Sequence, residues 1–496
     1  MLLAAQCAEG VLGTADDGAY LEAAGPSSAA ISSQPKHFLQ ATAPAPPSYQ
    51  ELAIFGTNAN DGIQVPSGGV IIGSDGMLYG ATTVMPGHAT NPVIYRIRTE
   101  GTGAEILHHF GSVPGDGTPP TGGLMEGSDG RLYGVCARGG AGNAGIVFGL
   151  DRTGENYRIL RTFLGALSMD GAEPVNGLVE ASDGLLYGVT QAGGDRSDPK
   201  NPSSGTLYRL AKDGTGYEVL VDFHFRPSIG VYPRGVTEGQ DGRLYGVCGM
   251  AGRLGGGTVW RVQKDGSGFE ILHEFTLNKT DGFDPEGRLL ALSDGRFYGT
   301  TIGNNGQIVF RISADGTSYE VLRTLQESEA RWVFWQLTAG LDGFLYGVAE
   351  YGGASGAGSV FRMRPDGGDF QVVKSFGSAP NEGSLPDGRL ACASDGSLYG
   401  VTAFGGSAPG LQGNGALFTL TFAVPVRLEC RLGNGGQLLI TGVGDPGRTY
   451  HLQTSPTPEG VWQEAAQTVA MADGTFSFST PWAKLPTMRF YRTKRD

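Results

Sequence analysis

Gly177-Leu178-Val179-Glu180-Ala181-Ser182-Asp183-Gly184-Leu185-Leu186-Tyr187-Gly188-Val189-Thr190 is the stretch whose reading decides the fold. A short apolar run led by glycine meets Ser-Asp-Gly, a tight strand-to-strand turn in which glycine takes positive φ at no steric cost. A second strand then carries Leu-Tyr-Gly. The pattern Asp-Gly-x-x-Tyr-Gly recurs seven times, anchored on Tyr79, Tyr133, Tyr187, Tyr245, Tyr298, Tyr346 and Tyr399. From Tyr79 to Tyr399 is 320 residues in six steps, a period of about 53. That is longer than a WD40 repeat and close to a kelch repeat.

Outward from the anchor, each period reads as four short strands. After a Gly-rich loop, a third strand carries a central aromatic in every copy: Tyr95, Phe148, Tyr208, Trp260, Phe310, Phe361 and Phe418. A second turn, such as Asp213-Gly214, leads to a fourth strand of the type Tyr217 to Phe223. Four antiparallel strands per unit make one propeller blade. The fourth strands begin at Tyr49, Ala104, Tyr157, Tyr217, Phe269, Tyr319 and Phe370, so one precedes the first anchor turn and none follows Ala416 to Leu420. The expectation is an all-β chain: a seven-bladed β-propeller at 48–422, closed by Tyr49 to Phe55 completing the last blade, since an open edge would invite aggregation.

The two ends differ from the repeats. Residues 1–47 are rich in Ala, Ser and Pro and read as a flexible leader. Residues 425–496 alternate as short strands and read as a small immunoglobulin-like β-sandwich, with Trp462 and Trp482 in its core. The start, Met1 to Ala8, is apolar, yet the first basic residue is Lys36, so the positive leading region of an export signal is not evident.

Composition narrows the function. Gly accounts for 84 of 496 residues and charged residues for 17%, but 40% of the chain is hydrophobic, enough for a large core. The formal net charge is −13 and no basic run occurs, which argues against nucleic acid as a partner. No apolar window is long enough for a transmembrane helix. The five cysteines suggest no disulfide framework; Cys136 and Cys248 take a small second-strand slot held elsewhere by Thr or Ala. No zinc spacing, calcium loop or cofactor motif is read from the sequence. A monomer is expected.

The Ser-Asp-Gly-x-Leu-Tyr-Gly turn, the Gly-Gly that follows and the Val-Phe-Arg strand resemble the GloVer-type tandem repeat of bacterial surface proteins. The resemblance spans roughly residues 48–422. It implies an exported propeller, extracytoplasmic at the cell surface or secreted, and brings no general chemistry with it.

Candidate site residues come from departures from the repeat, because packing asks for the same residue in each blade and a ligand does not. Six residues before the turn Asp stand Gly69, Gly123, Gly177 and Gly235, but Arg288, Gln336 and Arg389 in the other copies. One residue earlier stand Asn176, Arg234 and Trp335. The preceding loops carry Tyr232, and Arg331 with Trp332. These positions open the innermost strands, on the face that bears the long loops, so they are expected at the mouth of the channel. Arg forks recognise carboxylates and aromatic faces stack on sugars, which points to an acidic polysaccharide or a carboxylate-bearing peptide of a surface protein as partner, without catalysis. The structural alternative is that the arginines pair with loop aspartates and the tryptophans plug the channel. Two other readings are a polysaccharide lyase, with Tyr232, Tyr351 or His88 handling the proton, and a purely architectural surface protein. His108, His109 and His273 occupy fourth-strand slots held elsewhere by Arg161, Val221, Arg323 or Lys374 and are read as solvent-facing edge residues. A second Asp-Gly series at Asp61, Asp116, Asp170 and Asp281 reads as turns.

Overall fold

The structure is a computed structural model that describes residues 20–24, 47–56, 66–83, 91–118, 120–165, 170–195, 204–225, 229–277, 281–303, 306–379, 382–406, 414–422, 427–433, 437–443, 449–455, 463–469, 471, 475–481 and 488–495. The chain divides into two compact units. One holds Ser48–Ala393 with Ser397–Thr421; the other holds Met1–Pro47, Ser394–Gly396 and Phe422–Asp496.

In the larger unit every anchor tyrosine belongs to an antiparallel sheet. Gly171–Glu180, Leu186–Gly193, Thr206–Leu210 and Glu218–Asp222 pair in chain order around Tyr187. The copies around Tyr133, Tyr245, Tyr298 and Tyr346 repeat that order as separate four-stranded sheets. The Tyr399 copy takes its outer strand from the head of the chain. Ser48–Ile54 runs antiparallel to Ala416–Thr421, with Tyr49 opposite Leu420 and Ile54 opposite Ala416. A parallel bridge, Arg389 to Gly69, links this sheet to the Tyr79 copy. The fold is all-β and propeller-like.

The repeated residues explain the sheets. Each anchor tyrosine is buried, as is each central aromatic of the third strand. The glycine after the tyrosine makes room for that aromatic: a Cβ on Gly299 would lie 2.5 Å from the Phe310 ring. The Asp of the turn does more than turn the chain. Its carboxylate accepts the hydroxyl of its own anchor tyrosine in six copies, from 2.5 Å at Tyr346–Asp342 to 2.9 Å at Tyr298–Asp294. Each buried phenol is thereby satisfied within its own turn.

Neighbouring sheets are tied at three levels. On the turn side, Ser128 donates to Glu180 of the next copy through its N–H and its hydroxyl, and Lys212 bridges the pair. Ser182, Glu238 and Lys264 repeat the arrangement. Halfway out, Arg96, Arg209, Arg261 and Arg311 each bind a carboxylate of their own sheet and donate to a turn carbonyl of the next. At the outer strands a basic group lies on the aromatic of the following sheet: His108 on Tyr157, Arg161 on Tyr217, His273 on Tyr319, Arg323 on Phe370 and Lys374 on Tyr49. The last of these pairs engages the N-terminal strand like any other outer strand.

This corrects the edge reading of two histidines. His108 is only 8% exposed and bonds Asp116 at 2.9 Å, while His273 reaches Asp281 at 3.3 Å. Burial, only partly offset by Asp281, lowers the His273 pKa. Apart from Asp61, which lies outside the described residues, the second aspartate series closes these clasps: Asp170 accepts from Arg161 and from the Tyr217 hydroxyl as well as from turn amides. The slot of Cys136 and Cys248 is fully buried, and burial raises both thiol pKa values. Both thiols therefore stay protonated and pack as small apolar groups.

In the smaller unit, Arg427–Gly433, Gln437–Val443 and Thr475–Pro481 form one sheet. Thr449–Ser455, Gln463–Val469 and Met488–Arg495 belong to another, where Tyr20–Ala24 pairs with Met488–Arg492. That stretch falls inside the segment expected to be a flexible leader; it has no proline to interrupt an edge ladder. Ile440, Tyr450, Leu452, Phe476 and Phe478 are buried, with Tyr450 stacked on Phe476 at 4.3 Å. Trp462 and Trp482 lie outside the described residues.

Candidate functional site

The first strands of the repeat sheets meet backbone to backbone. A Cβ on Gly68 would lie 2.6 Å from the Gly123 nitrogen, and one on Gly287 would lie 2.7 Å from the Phe334 carbonyl. Gly122 faces Asn176 in the same way, and Gly388 faces Gly69. Positive φ at Gly68, Gly122 and Gly388 accompanies the close approach. The Asn176 amide donates to the Arg234 carbonyl, and Arg389 donates to Gln336 at 3.4 Å. Contacts between first strands thus run from copy to copy and return to Gly69.

Two cavities open along these strands. The larger, about 510 Å³, is walled by Ser67, Thr121, Val175, Arg234, Glu286 and Phe334, with Asn176, Gln191 and Trp335 also reaching it. The smaller, about 20 Å³, is lined by Arg288, Gln336 and Arg389 with Gly122, Asn176, Gly287 and Trp335. Asn176 and Trp335 border both.

The slots that face the larger cavity are therefore the residues directly after a first-strand proline or its equivalent. In most copies this slot is eight residues before the turn Asp: Ser67, Thr121, Val175, Glu286 and Phe334; the Tyr399 copy carries Asp387 at that position, which accepts from the Gly68 N–H and does not line the cavity. The Tyr245 copy is one residue shorter there. Pro233 lies opposite Cys248 as Pro174 lies opposite Thr190, and Arg234 follows its proline as Val175 does; both border the larger cavity, while Gly235 pairs with Val247 as Val175 pairs with Val189.

The expected cluster of three arginines separates accordingly. Arg234 is at the larger cavity, clamped by Asp284 at 3.0 Å and Glu286 at 3.1 Å. Burial pushes the Glu286 carboxyl up to about 8, against the pull of Arg234 and with the push of Asp284. Glu350 is pushed up to about 7 by burial and by Asp387, itself raised by burial. Arg288 and Arg389 line the inner cavity instead. Arg288 donates to the Leu178 carbonyl at 3.1 Å, and the Gln336 amide to the Leu289 carbonyl at 3.0 Å.

Tyr232 and Trp332 line neither cavity. Both hold left-handed backbone, φ 56° and 61°, and remain 38% and 40% exposed. Glu173, Asp284 and Leu385 share that conformation at the equivalent point, so it is a repeated feature of strand entry. Its amide ties one sheet to the one before: Glu173 donates to the Ala144 carbonyl, Tyr232 to Ser204 and Leu385 to Ala357. Trp332 packs edge-on to Tyr351 at 4.7 Å with the Arg331 guanidinium over its ring at 5.3 Å. Tyr351 does not reach the larger cavity either, and His88 lies outside the described residues. Reading for departures at one slot misses Glu286, a cavity-lining carboxyl that stands where other copies carry Ser67, Thr121, Val175 or Phe334.

Taken together, four-stranded sheets arranged by repeat, with first strands in mutual contact, define an all-β repeat protein of propeller-like fold. The chain belongs to the Gloeobacter/Verrucomicrobia repeat family, which matches it at residues 42–200, 197–308 and 302–427. No curated protein matches the sequence. Among solved structures it is similar to a fungal alcohol oxidase of the AA5 family, at 10% identity and a TM-score of 0.50 over 89% of this chain and 93% of that one. It is also similar to the extracellular domain of a hybrid two-component system from B. thetaiotaomicron, with 10% identity and a TM-score of 0.49 over 88% and 55% of the two chains. A puromycin-hydrolyzing peptidase from Mycobacterium tuberculosis gives 14% identity and a TM-score of 0.45 over 82% and 62%. The chain thus spans less than two thirds of the peptidase and of the extracellular domain. Among the described residues, no helix is long and apolar enough to cross a membrane.

Proposed function

We propose that the larger unit is a closed seven-bladed propeller, followed by an immunoglobulin-like sandwich, that acts outside the cytoplasm by binding a glycan or a surface protein at its loop-bearing face, without catalysis. The observation that carries this reading is the cavity of about 510 Å³ with one aromatic side, Phe334 and Trp335, facing polar groups from Asn176, Gln191, Thr121 and Arg234. Its volume suits a ligand of a few sugar rings, and aromatic faces beside amides and hydroxyls match a sugar's apolar face and its hydroxyl edge.

The carboxyls at the cavity refine the ligand. Arg234 is already held by Asp284 and Glu286, so a uronate would have to displace them. A neutral glycan fits this wall better than an acidic one. Of the proton handlers a lyase would use, neither Tyr232 nor Tyr351 lines the cavity with Arg234, and His88 lies outside the described residues.

A panel of immobilised neutral and uronic polysaccharides tests this. Retention of the full chain on a neutral glycan, weakened roughly tenfold or more by Trp335→Ala in keeping with loss of one stacking face, is the expected outcome. No retention on any glycan, or retention indifferent to Trp335→Ala, overturns it.

A further inference from the structure

Arg288 and Arg389 both turn into the inner cavity, and neither forms an ion pair among the described residues. Arg288 spends one N–H on the Leu178 carbonyl, while its buried Nε has no hydrogen-bond partner. Among the described residues, the Arg389 side chain has only a long bond to the Gln336 side-chain oxygen. Asp387, two residues before Arg389, is engaged with the Gly68 N–H instead. Two half-buried guanidinium groups thus face one small, partly open cavity with donors to spare and, among the described residues, no ion-pair partner.

Buried charge without a partner is strongly disfavoured, and two like charges sharing a cavity compound the cost. We infer that the inner cavity holds a single monatomic monovalent anion, a halide, cradled by Arg288, Arg389 and the side chains of Asn176 and Gln336. The volume favours the class: about 20 Å³ holds one small ion or water, and sulfate, acetate or a sugar carboxylate would have to protrude from it. Burial and the charge of Arg389 pull the Arg288 pKa down to about 9, and burial lowers that of Arg389. Arg288 is therefore still cationic at neutral pH, and an anion would relieve the cause of the shift. Trp335 borders both cavities, but Arg288 and Arg389 line only the smaller one, so the halide acts as their counter-ion and is probed apart from the glycan reading.

The test is thermal unfolding of the full chain at constant ionic strength, with sodium gluconate replaced stepwise by chloride or bromide and, in parallel, by acetate or sulfate. A halide that binds the folded state raises the midpoint saturably, by a few degrees at high occupancy, and acetate and sulfate do not. The rise disappears in Arg288→Met. Crystals grown in bromide show an anomalous peak between the two guanidinium groups, and this reading serves even if the variant fails to fold. Equal midpoints in gluconate and chloride, a halide effect that survives Arg288→Met, or a cavity without the bromide peak overturns the inference. Failure here leaves the glycan test unaffected, because the two cavities are probed by different ligands.

Discussion

At one end of the first strands, Asp75, Asp129, Asp183, Asp241, Asp294 and Asp342 all accept from their own tyrosine. At the other end, the slot that walls the larger cavity reads Ser67, Thr121, Val175, Arg234, Glu286 and Phe334. The same strands carry both. Where a side chain must satisfy a buried partner in its own sheet, one solution recurs; where it meets open space, each copy is free to differ. Copy-to-copy variation in a repeat therefore maps the surface that packing leaves available.

The largest effect should come from attacking what the copies share. Deleting residues 48–55 strips the partner from Ala416–Thr421 and removes Tyr49 from beneath Lys374. Loss of soluble, cooperatively unfolding protein is expected, read by size exclusion and thermal unfolding. A monomer with an unchanged midpoint would show that the outer strand is dispensable.

Next come the glycines, where two positions of like backbone separate conformation from packing. Gly76 has φ 79° and a methyl added there would meet open space, whereas Gly122 has φ 86° and faces the Asn176 backbone. Gly76→Ala should cost about 1 kcal/mol from backbone strain alone, and Gly122→Ala about 3 kcal/mol or more, measured by denaturant unfolding. Equal costs would mean that the first strands do not meet as described.

A smaller effect separates the cavity wall by its charge. Folded, Glu286 keeps its proton up to about 8, while the unfolded chain releases it near 4.5. The folded state thus binds more protons between those values, and stability falls as pH rises through them, by up to about 1.4 kcal/mol per pH unit. Glu350 adds to the fall up to about 7. Glu286→Gln should flatten the decline in unfolding midpoint between pH 5 and pH 8. An unchanged slope would place that carboxyl in water.

Much of this is legible in the sequence. The anchor tyrosines, the third-strand aromatics and the N-terminal outer strand follow from residue types that recur at fixed spacing, and the pairing of Ser48–Ile54 with Ala416–Thr421 is the one the strand offset requires. The site is less legible, for two physical reasons. Counting back from the turn Asp assumes first strands of equal length, and the Tyr245 copy is one residue short, so Arg234 moves to the cavity wall while Arg288 and Arg389 stay on the axis. Sequence spacing also cannot distinguish a basic residue facing solvent from one lying on the neighbour's aromatic, which is why His108 and His273 pass for edge residues. The exposure of Tyr232 and Trp332 away from both cavities depends on left-handed backbone that residue type alone does not announce.

The most direct measurement is on a chain whose cavity wall is returned to the residues other copies carry: Arg234→Thr, Glu286→Ser, Phe334→Thr and Trp335→Gly. Glycan retention and the unfolding midpoint are read together on the same preparation. The account predicts a folded protein, its midpoint within a few degrees of the parent, that no longer binds. Binding that persists on the restored wall, or a chain that no longer folds, would contradict the claim that these four residues serve a ligand and not the fold.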